Sequence, residues 1–586
     1  MKLLDDKTEI GQALRAFKRT FITIGVFSAI INLLMLVPSL YMLQVYDRVL
    51  ASRNEITLLM LTLIMLGAYL FMGALEVIRS FILVRVGARF DMMMNKRVYT
   101  ASFEQNLKQA GANAGQALND LTTLRQFLTG NALFAFFDAP WFPIYLLVIF
   151  MFDPMLGLFA LGGTIILVIL AVVNERITKK PLNEANTMAI SASTLATNNL
   201  RNAEVIESMG MLPNLMGRWF KLHGKFLNLQ AEASQKAGSI GAATKFVQTS
   251  MQSLVLGLGA LLVIDHKITA GMMIAASILL GRTMQPVQQV IGVWKSWATT
   301  RSAHERLTKL LETNPKREAG MALPKPSGNL TLEGVTAAPP GMRNPIVKNV
   351  SFGILPGDVL GVIGPSGSGK STLARLLVGV WPAMMGKVRL DGADIYSWNK
   401  AELGPHMGYL PQDIELFGGT VSENIARFGD VDAEKVVEAA KRAGVHDMIL
   451  HFPEGYDTRL GDGGGGLSGG QRQRLGLARA MYGDPALIVL DEPNSNLDEA
   501  GELALVTAVK DLRQRGKTIV LITHRTSIIS ATTKLLLMRD GALHMFGPTQ
   551  QVLAALQEVN TKALQAQQAQ LQAQQTGAAA PTGTEG

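Results

Sequence analysis

The chain has 586 residues, enough for at least two domains, and its 48% hydrophobic content with mean hydropathy +0.22 is too apolar for an ordinary soluble enzyme. It has no cysteine, which excludes disulfide frameworks, thiolate metal sites and cysteine nucleophiles. The net charge of +9 would suit a nucleic-acid binder, but the basic residues lie mostly beside apolar runs or across the second half. A positive-inside membrane topology explains them with no nucleic acid as partner.

The first apolar run, Phe21 to Tyr46, carries no charge, and neither does the second, Ile56 to Leu75. Each is long enough to cross a hydrocarbon core of about 30 Å as a helix. A polar turn, Asp47 to Glu55, joins them as a hairpin. The first run is too long for a cleavable signal, and its flank mixes Asp5, Asp6 and Glu9 with Lys18 and Arg19. Ala132 to Phe152 and Met155 to Val173 make a second hairpin around Asp153 and Pro154. Phe246 to Ile264 and Ala270 to Trp294 make a third around Asp265, His266 and Lys267. The expectation is six membrane spans. The segments before the first span and after the second, fourth and sixth hold Lys18, Arg19, Arg79, Arg85, Arg89, Arg176, Lys179, Lys180, Lys295 and Arg301, so both termini are expected in the cytoplasm. Helix-friendly polar runs, Asn95 to Leu128 and Asn183 to Ala237, would extend the spanning helices beyond the bilayer. Two charges, Asp138 and Arg282, fall inside apparent spans. Such charges face a bundle interior or a wet cavity, and Arg282, followed by Pro286, is a candidate for lining a translocation path.

Pro315, Pro324, Pro326 and Gly328 break regular structure and mark a linker over 311–328. Beyond it, Val359 to Ile363 is a short apolar run suited to a buried parallel strand. It runs into Gly364, Pro365, Ser366, Gly367, Ser368, Gly369, Lys370, Ser371 and Thr372, which fit the phosphate-binding loop pattern and open a helix. Glycines let several backbone N–H groups converge on phosphate oxygens, and the helix N-terminus adds its dipole. Lys370 would neutralise the phosphates of ATP, and the Ser371 hydroxyl would ligate Mg²⁺. Leu487 to Leu490 is a second apolar strand, ending in Asp491 and Glu492. Asp491 is placed to hold the Mg²⁺ shell and Glu492 to polarise the attacking water. Two acids after an apolar run are weak evidence alone; order and company give them weight.

That company is Leu467, Ser468, Gly469, Gly470 and Gln471, the signature of ATP-binding cassette (ABC) proteins, and from Gly364 to His524 the chain resembles a complete cassette. Tyr409-Leu410-Pro411-Gln412 resembles the Q-loop, which implies that Gln412 contacts Mg²⁺ or water and senses the γ-phosphate. Ser495-Asn496-Leu497-Asp498 resembles the D-loop, and Thr523-His524 the switch histidine. In that family the signature serine caps the γ-phosphate held by a partner cassette, which implies that two copies enclose two nucleotides. One element departs from the pattern: Val335 to Pro340 lacks the aromatic residue that stacks on adenine in most cassettes.

The whole chain is similar to the inner-membrane ATPases of bacterial type I secretion, in particular exporters of proteases and lipases. Tyr41 to Val49, Asp138-Ala139-Pro140-Trp141 and Gly281-Arg282 carry the membrane part of that resemblance. It implies a multi-domain, multi-pass inner-membrane protein. A six-helix all-α transmembrane exporter domain over 1–310 precedes an α/β P-loop nucleotide-binding domain over 329–556, with a Gln/Ala-rich, partly disordered tail over 557–586. It further implies an ATPase that exports an unfolded protein as a homodimer, with a periplasmic adaptor protein, an outer-membrane channel and membrane lipid as partners. A lipid or small-molecule exporter has the same layout. A regulatory or channel subunit that binds ATP without pumping is a third possibility, opposed by the intact Glu492, Ser468 and His524.

Overall fold

The computed structural model describes residues 8–108, 114–316, 322–558 and 561, and the chain divides near residue 316 into two units. Most of the expected tail, and part of the linker, lie outside the described residues.

The first unit is all helix. Its elements are α1 (Glu9–Arg15), α2 (Lys18–Leu34), α3 (Val37–Gln44), α4 (Leu50–Ser52), α5 (Glu55–Lys108), α6 (Ala114–Thr129), α7 (Asn131–Asp138), α8 (Phe142–Phe152), α9 (Pro154–Arg201), α10 (Ala203–Ser208), α11 (Leu212–Ile264) and α12 (Ala270–Thr313). Five helical segments among the described residues are long and apolar enough to cross a membrane: Lys18–Ser52, Glu55–Lys108, Ala132–Phe152, Pro154–Arg201 and Leu212–Ile264. The sixth expected span lies in α12, which is continuous but is not one of the five, because Arg282, Gln285, Gln288 and Gln289 interrupt its apolar run. Outward faces such as Leu70 (79% exposed) and Met151 (77%) are apolar, as contact with lipid tails requires.

The expected turn after Tyr46 is largely helical. A π turn, Val45–Val49, leads into α4, and the chain reverses at Arg53, with φ 52°, and Asn54. The cause is Asp47. Its carboxylate accepts from the Thr269 hydroxyl and from the Gly271 N–H at 2.9 Å, so it sits on the first turn of α12, where a negative charge is favourable. The long helices bundle around buried apolar faces, with Ile10, Leu14, Phe90, Val98, Leu121 and Leu307 in one cluster and Tyr145, Ile149, Leu156, Leu167, Val255 and Leu279 in another.

The second unit is α/β. Its strands are β1 (Leu330–Ala337), β2 (Val347–Ile354), β3 (Val359–Ile363), β4 (Met385–Leu390), β5 (Ala393–Asp394), β6 (Met407–Leu410), β7 (Gly419–Thr420), β8 (Arg459–Leu460), β9 (Leu487–Asp491), β10 (Thr518–Ile522), β11 (Lys534–Arg539) and β12 (Ala542–Pro548). The main sheet has the order β12-β11-β3-β10-β9-β6, parallel except for β12. An antiparallel sheet, β2-β1-β4-β5, accompanies it. β9 and β10 are buried at every position, which is why they read as unbroken apolar runs in the sequence. The main sheet therefore aligns the C-terminal ends of β3, β6, β9 and β10 along one edge. Ligands of open α/β sheets bind beyond that edge.

Candidate nucleotide site

The loop after β3 starts at Gly364, whose φ is 153° and where a Cβ would lie 2.2 Å from the Met538 carbonyl oxygen, so only glycine fits. It closes at Gly369, in left-handed backbone at φ 94°, immediately before helix α13 (Lys370–Leu377). The Lys370 ammonium donates to the carbonyls of Gly364 at 2.8 Å and Pro365 at 2.9 Å, so the loop is held closed around its own lysine. Burial lowers the Lys370 pKa, against the opposing fields of Glu492 and Asp491.

Asp491 ends β9 and is 3% exposed. Burial pushes its carboxyl above the usual carboxylate range, the neighbouring Glu492 adds to this, and a hydrogen bond from the Ser371 hydroxyl works against it. Among the described residues Asp491 Oδ1 and the buried Ser368 hydroxyl have no hydrogen-bond partner. Buried polar atoms without partners are uncommon, and these two flank the loop in a way that fits a phosphate-bound cation and a phosphate oxygen. Among the described residues no group of three or more His, Cys, Asp or Glu side chains could cage a metal. Ser371, Asp491 and Gln412 fit Mg²⁺ held by a few protein oxygens and the nucleotide's own phosphates.

One residue later, Glu492 adopts φ 49°, a left-handed conformation that costs a non-glycine residue about 1–2 kcal/mol. Its N–H donates to the Ile522 carbonyl at 3.0 Å, tying it to the end of β10. The Glu492 carboxylate accepts from the Gln412 amide at 3.2 Å and lies 3.5 Å from His524 Nε2. Three residues from the ends of β6, β9 and β10, far apart in sequence, thus meet at one carboxylate. The signature residues stand apart. Ser468 caps the helix Gly469–Met481 in a reciprocal capping box with Gln471, and its side chain is exposed. Among the described residues no hydrogen bond joins Leu467 to Gln471 with the loop at 364–372. In β1 and the turn after it, Val335 to Pro340 offers no aromatic ring.

Three polar residues around the site escaped the motif reading. Arg474 pairs with Asp498, which caps the helix Glu499–Gln514. Asn494 accepts from the buried Thr523 hydroxyl at 3.2 Å. Gln473 is 1% exposed, and its sequence signal was available: it is a polar residue on the helix stripe that Leu477 and Ala480 share.

In the membrane unit the two charges expected inside spans separate. Asp138 meets Arg79 at 3.2 Å and Asn32 at 3.0 Å, and Arg79 also donates to Ser28 at 2.9 Å and lies over the Phe134 ring. Arg79, expected among the cytoplasmic flanking cations, is instead buried, because Asp138 and Ser28 supply its partners inside the bundle. Arg282 donates to Gln285 at 3.2 Å and faces the Met35 sulfur. An apolar cavity of about 270 Å³, lined by residues including Phe142, Val168, Pro286 and Trp294, does not include it.

Comparisons with known proteins agree with this division. The ABC transporter family matches residues 347–495, and the ABC transporter transmembrane region matches residues 21–287. The type I secretion system ATP-binding protein PrsD of Rhizobium meliloti is 44% identical over 543 residues, covering 92% of this chain and 93% of that protein. The cyclolysin secretion/processing ATP-binding protein CyaB of Bordetella pertussis is 29% identical, covering 90% of this chain and 75% of that protein. A solved bacterial Atm1-family ABC exporter with ATP bound superposes with a TM-score of 0.80 at 23% identity, covering 97% of this chain and 99% of that one. With a transmembrane exporter unit, a nucleotide-binding unit and a relative this similar over nearly its whole length, the chain belongs to the ABC transporters, among the ATP-binding proteins of type I secretion systems.

Proposed function

We propose that this protein is the inner-membrane motor of a bacterial type I secretion system, using ATP to export an unfolded protein as a homodimer. The observation that carries this reading is the meeting of Gln412, Glu492 and His524 beyond the phosphate loop, in a chain whose other half is membrane-length helices. Each subunit contributes six spans, α12 supplying the last with its polar residues turned inward, and both termini are cytoplasmic. A periplasmic adaptor and an outer-membrane channel complete the path, in keeping with the secretion relatives.

The backbone of residues 364–372 holds the phosphates, with Lys370 neutralising their charge. Ser371, Asp491 and Gln412 would hold Mg²⁺, which when bound would supply positive charge beside the phosphates. Glu492 orients and polarises the attacking water, and His524 steadies the γ-phosphate end of the site. Leu467 to Gln471 serve the nucleotide of the other subunit, a reading supported by the exposure of Ser468 and by the lack, among the described residues, of any hydrogen bond from it to its own loop. Binding two nucleotides draws the cassettes together, and hydrolysis releases them.

Purified protein in lipid vesicles tests the reading. A secreted protein bearing its C-terminal segment is expected to raise ATP hydrolysis about threefold or more, and the same protein without that segment is not. Stimulation by lipids or small amphiphiles alone would favour the alternative exporter. Absence of steady-state hydrolysis would favour a regulatory subunit.

A further inference from the structure

Gln473 lies on the helix that presents Ser468, but it faces the other way, into the cassette, and is 1% exposed. Its amide nitrogen donates to the backbone carbonyl of Glu492 at 3.0 Å. Its amide oxygen accepts from the Asn496 N–H at 2.9 Å and from the Ser495 hydroxyl at 3.3 Å. One side chain therefore clamps three segments: the signature helix, the left-handed residue that carries the water-polarising carboxylate, and the loop that follows it.

Both ends of the amide are used, and no shorter or apolar side chain reproduces the pattern. Glu492 leaves β9 in a strained conformation, and such conformations persist only where the surroundings over-determine them. Here the surroundings are bonds on both sides of one residue: its N–H donates to Ile522, and its carbonyl accepts from Gln473 and also from the Ser495 N–H at 3.2 Å. Of these partners, Gln473 belongs to the helix whose N-terminus serves the other nucleotide.

We propose that Gln473 is a positioning residue that links the two nucleotide sites of the dimer. Engagement of Ser468 by the partner's nucleotide sets the signature helix, and Gln473 passes that setting to Glu492, so that hydrolysis at one site depends on occupancy of the other. This rests on the shared-site reading above. It identifies the side chain that makes the sites interdependent.

The test compares wild type with Gln473→Met, which keeps length and loses both hydrogen-bonding ends, and with Gln473→Glu, which keeps the acceptor and loses the amide donor. Three quantities are read on the full-length protein: ATP affinity by fluorescent nucleotide, kcat, and the Hill coefficient for ATP. Both variants are expected to bind ATP within about twofold of wild type, to lose about tenfold or more in kcat, and to fall to a Hill coefficient of about 1. Wild-type kcat and cooperativity in either folded variant overturn the proposal, and so does loss of ATP affinity in step with hydrolysis, which marks a merely structural role. If Gln473→Met does not fold, Gln473→Glu alone decides. A wild-type Hill coefficient of about 1 would count against the shared-site reading itself, and nucleotide-dependent dimerisation of Glu492→Gln, with and without Gln473→Met, separates the two failures.

Discussion

The cassette and the membrane unit solve the same problem, burying polar groups, in opposite ways. In the cassette the chemistry comes in short contiguous runs; all but the signature, which opens a helix, follow the C-terminal end of a buried strand, and the parallel sheet brings the ends of those strands into line. In the membrane unit the polar groups are single residues whose partners are far away in sequence: Asp138 on Arg79 and Asn32, Tyr145 on Asn32, Asp47 on Thr269 and Gly271. A strand end declares its function locally. A lone charge in a span says only that it needs a partner.

The largest expected effect is in the cassette. Glu492→Gln should lower steady-state hydrolysis about 100-fold or more while ATP affinity stays within a few-fold, measured by phosphate release and nucleotide binding. Normal turnover would remove Glu492 from its role. In the membrane unit, Asp138→Ala strands the Arg79 guanidinium, which is only 7% exposed in its side chain. Breaking such a pair from one side costs about 3–5 kcal/mol, visible as a lower unfolding midpoint in detergent, and the double change Arg79→Met with Asp138→Leu should regain most of it. If the double variant is no better than the single one, the pair is not the reason these residues are buried.

A smaller and more selective effect is expected at Arg282. Among the described residues its partners are a glutamine and a thioether, with no acid among them, so Arg282→Gln should cost little stability. Export should fall about tenfold with basal hydrolysis within about twofold; equal loss of both would count against a path-lining role. The smallest effect concerns the base. Val335 to Pro340 has no aromatic ring, so this segment contributes none of the stacking gain of about 1–3 kcal/mol, and ATP should outcompete GTP by no more than about tenfold.

The legibility of the chain followed the same contrast. The phosphate loop, the acids after β9, the glutamine after β6 and the histidine after β10 could be read from the sequence because each motif sits on an apolar strand, and the sheet order brings three of them to one carboxylate. Gln473 was missed because two of its three partners are backbone atoms, of Glu492 and Asn496, which no motif records. Arg79 was misread because a cation three residues beyond Glu76, at a span's end, looks like a flanking charge until Asp138 is placed beside it. The turn after Tyr46 was misplaced for a related reason: Asp47 looks like a turn former, yet its carboxylate is occupied on α12 and the helix continues past it. α12 itself is polar enough along one side to fall short of a lipid-facing span, the pattern expected of a helix turned toward an interior.

The central claim is that each nucleotide is held by the phosphate loop of one subunit and the signature of the other. Mixed dimers test it most directly, in a Glu492→Gln background that retains ATP. One subunit carries Lys370→Ala and its partner Ser468→Arg, so each homodimer has no complete site, whereas the mixed dimer has one if the sites are shared. About one tightly held ATP per mixed dimer, with none in either homodimer, is the result expected. Retention no greater in the mixture than in the two homodimers would contradict it.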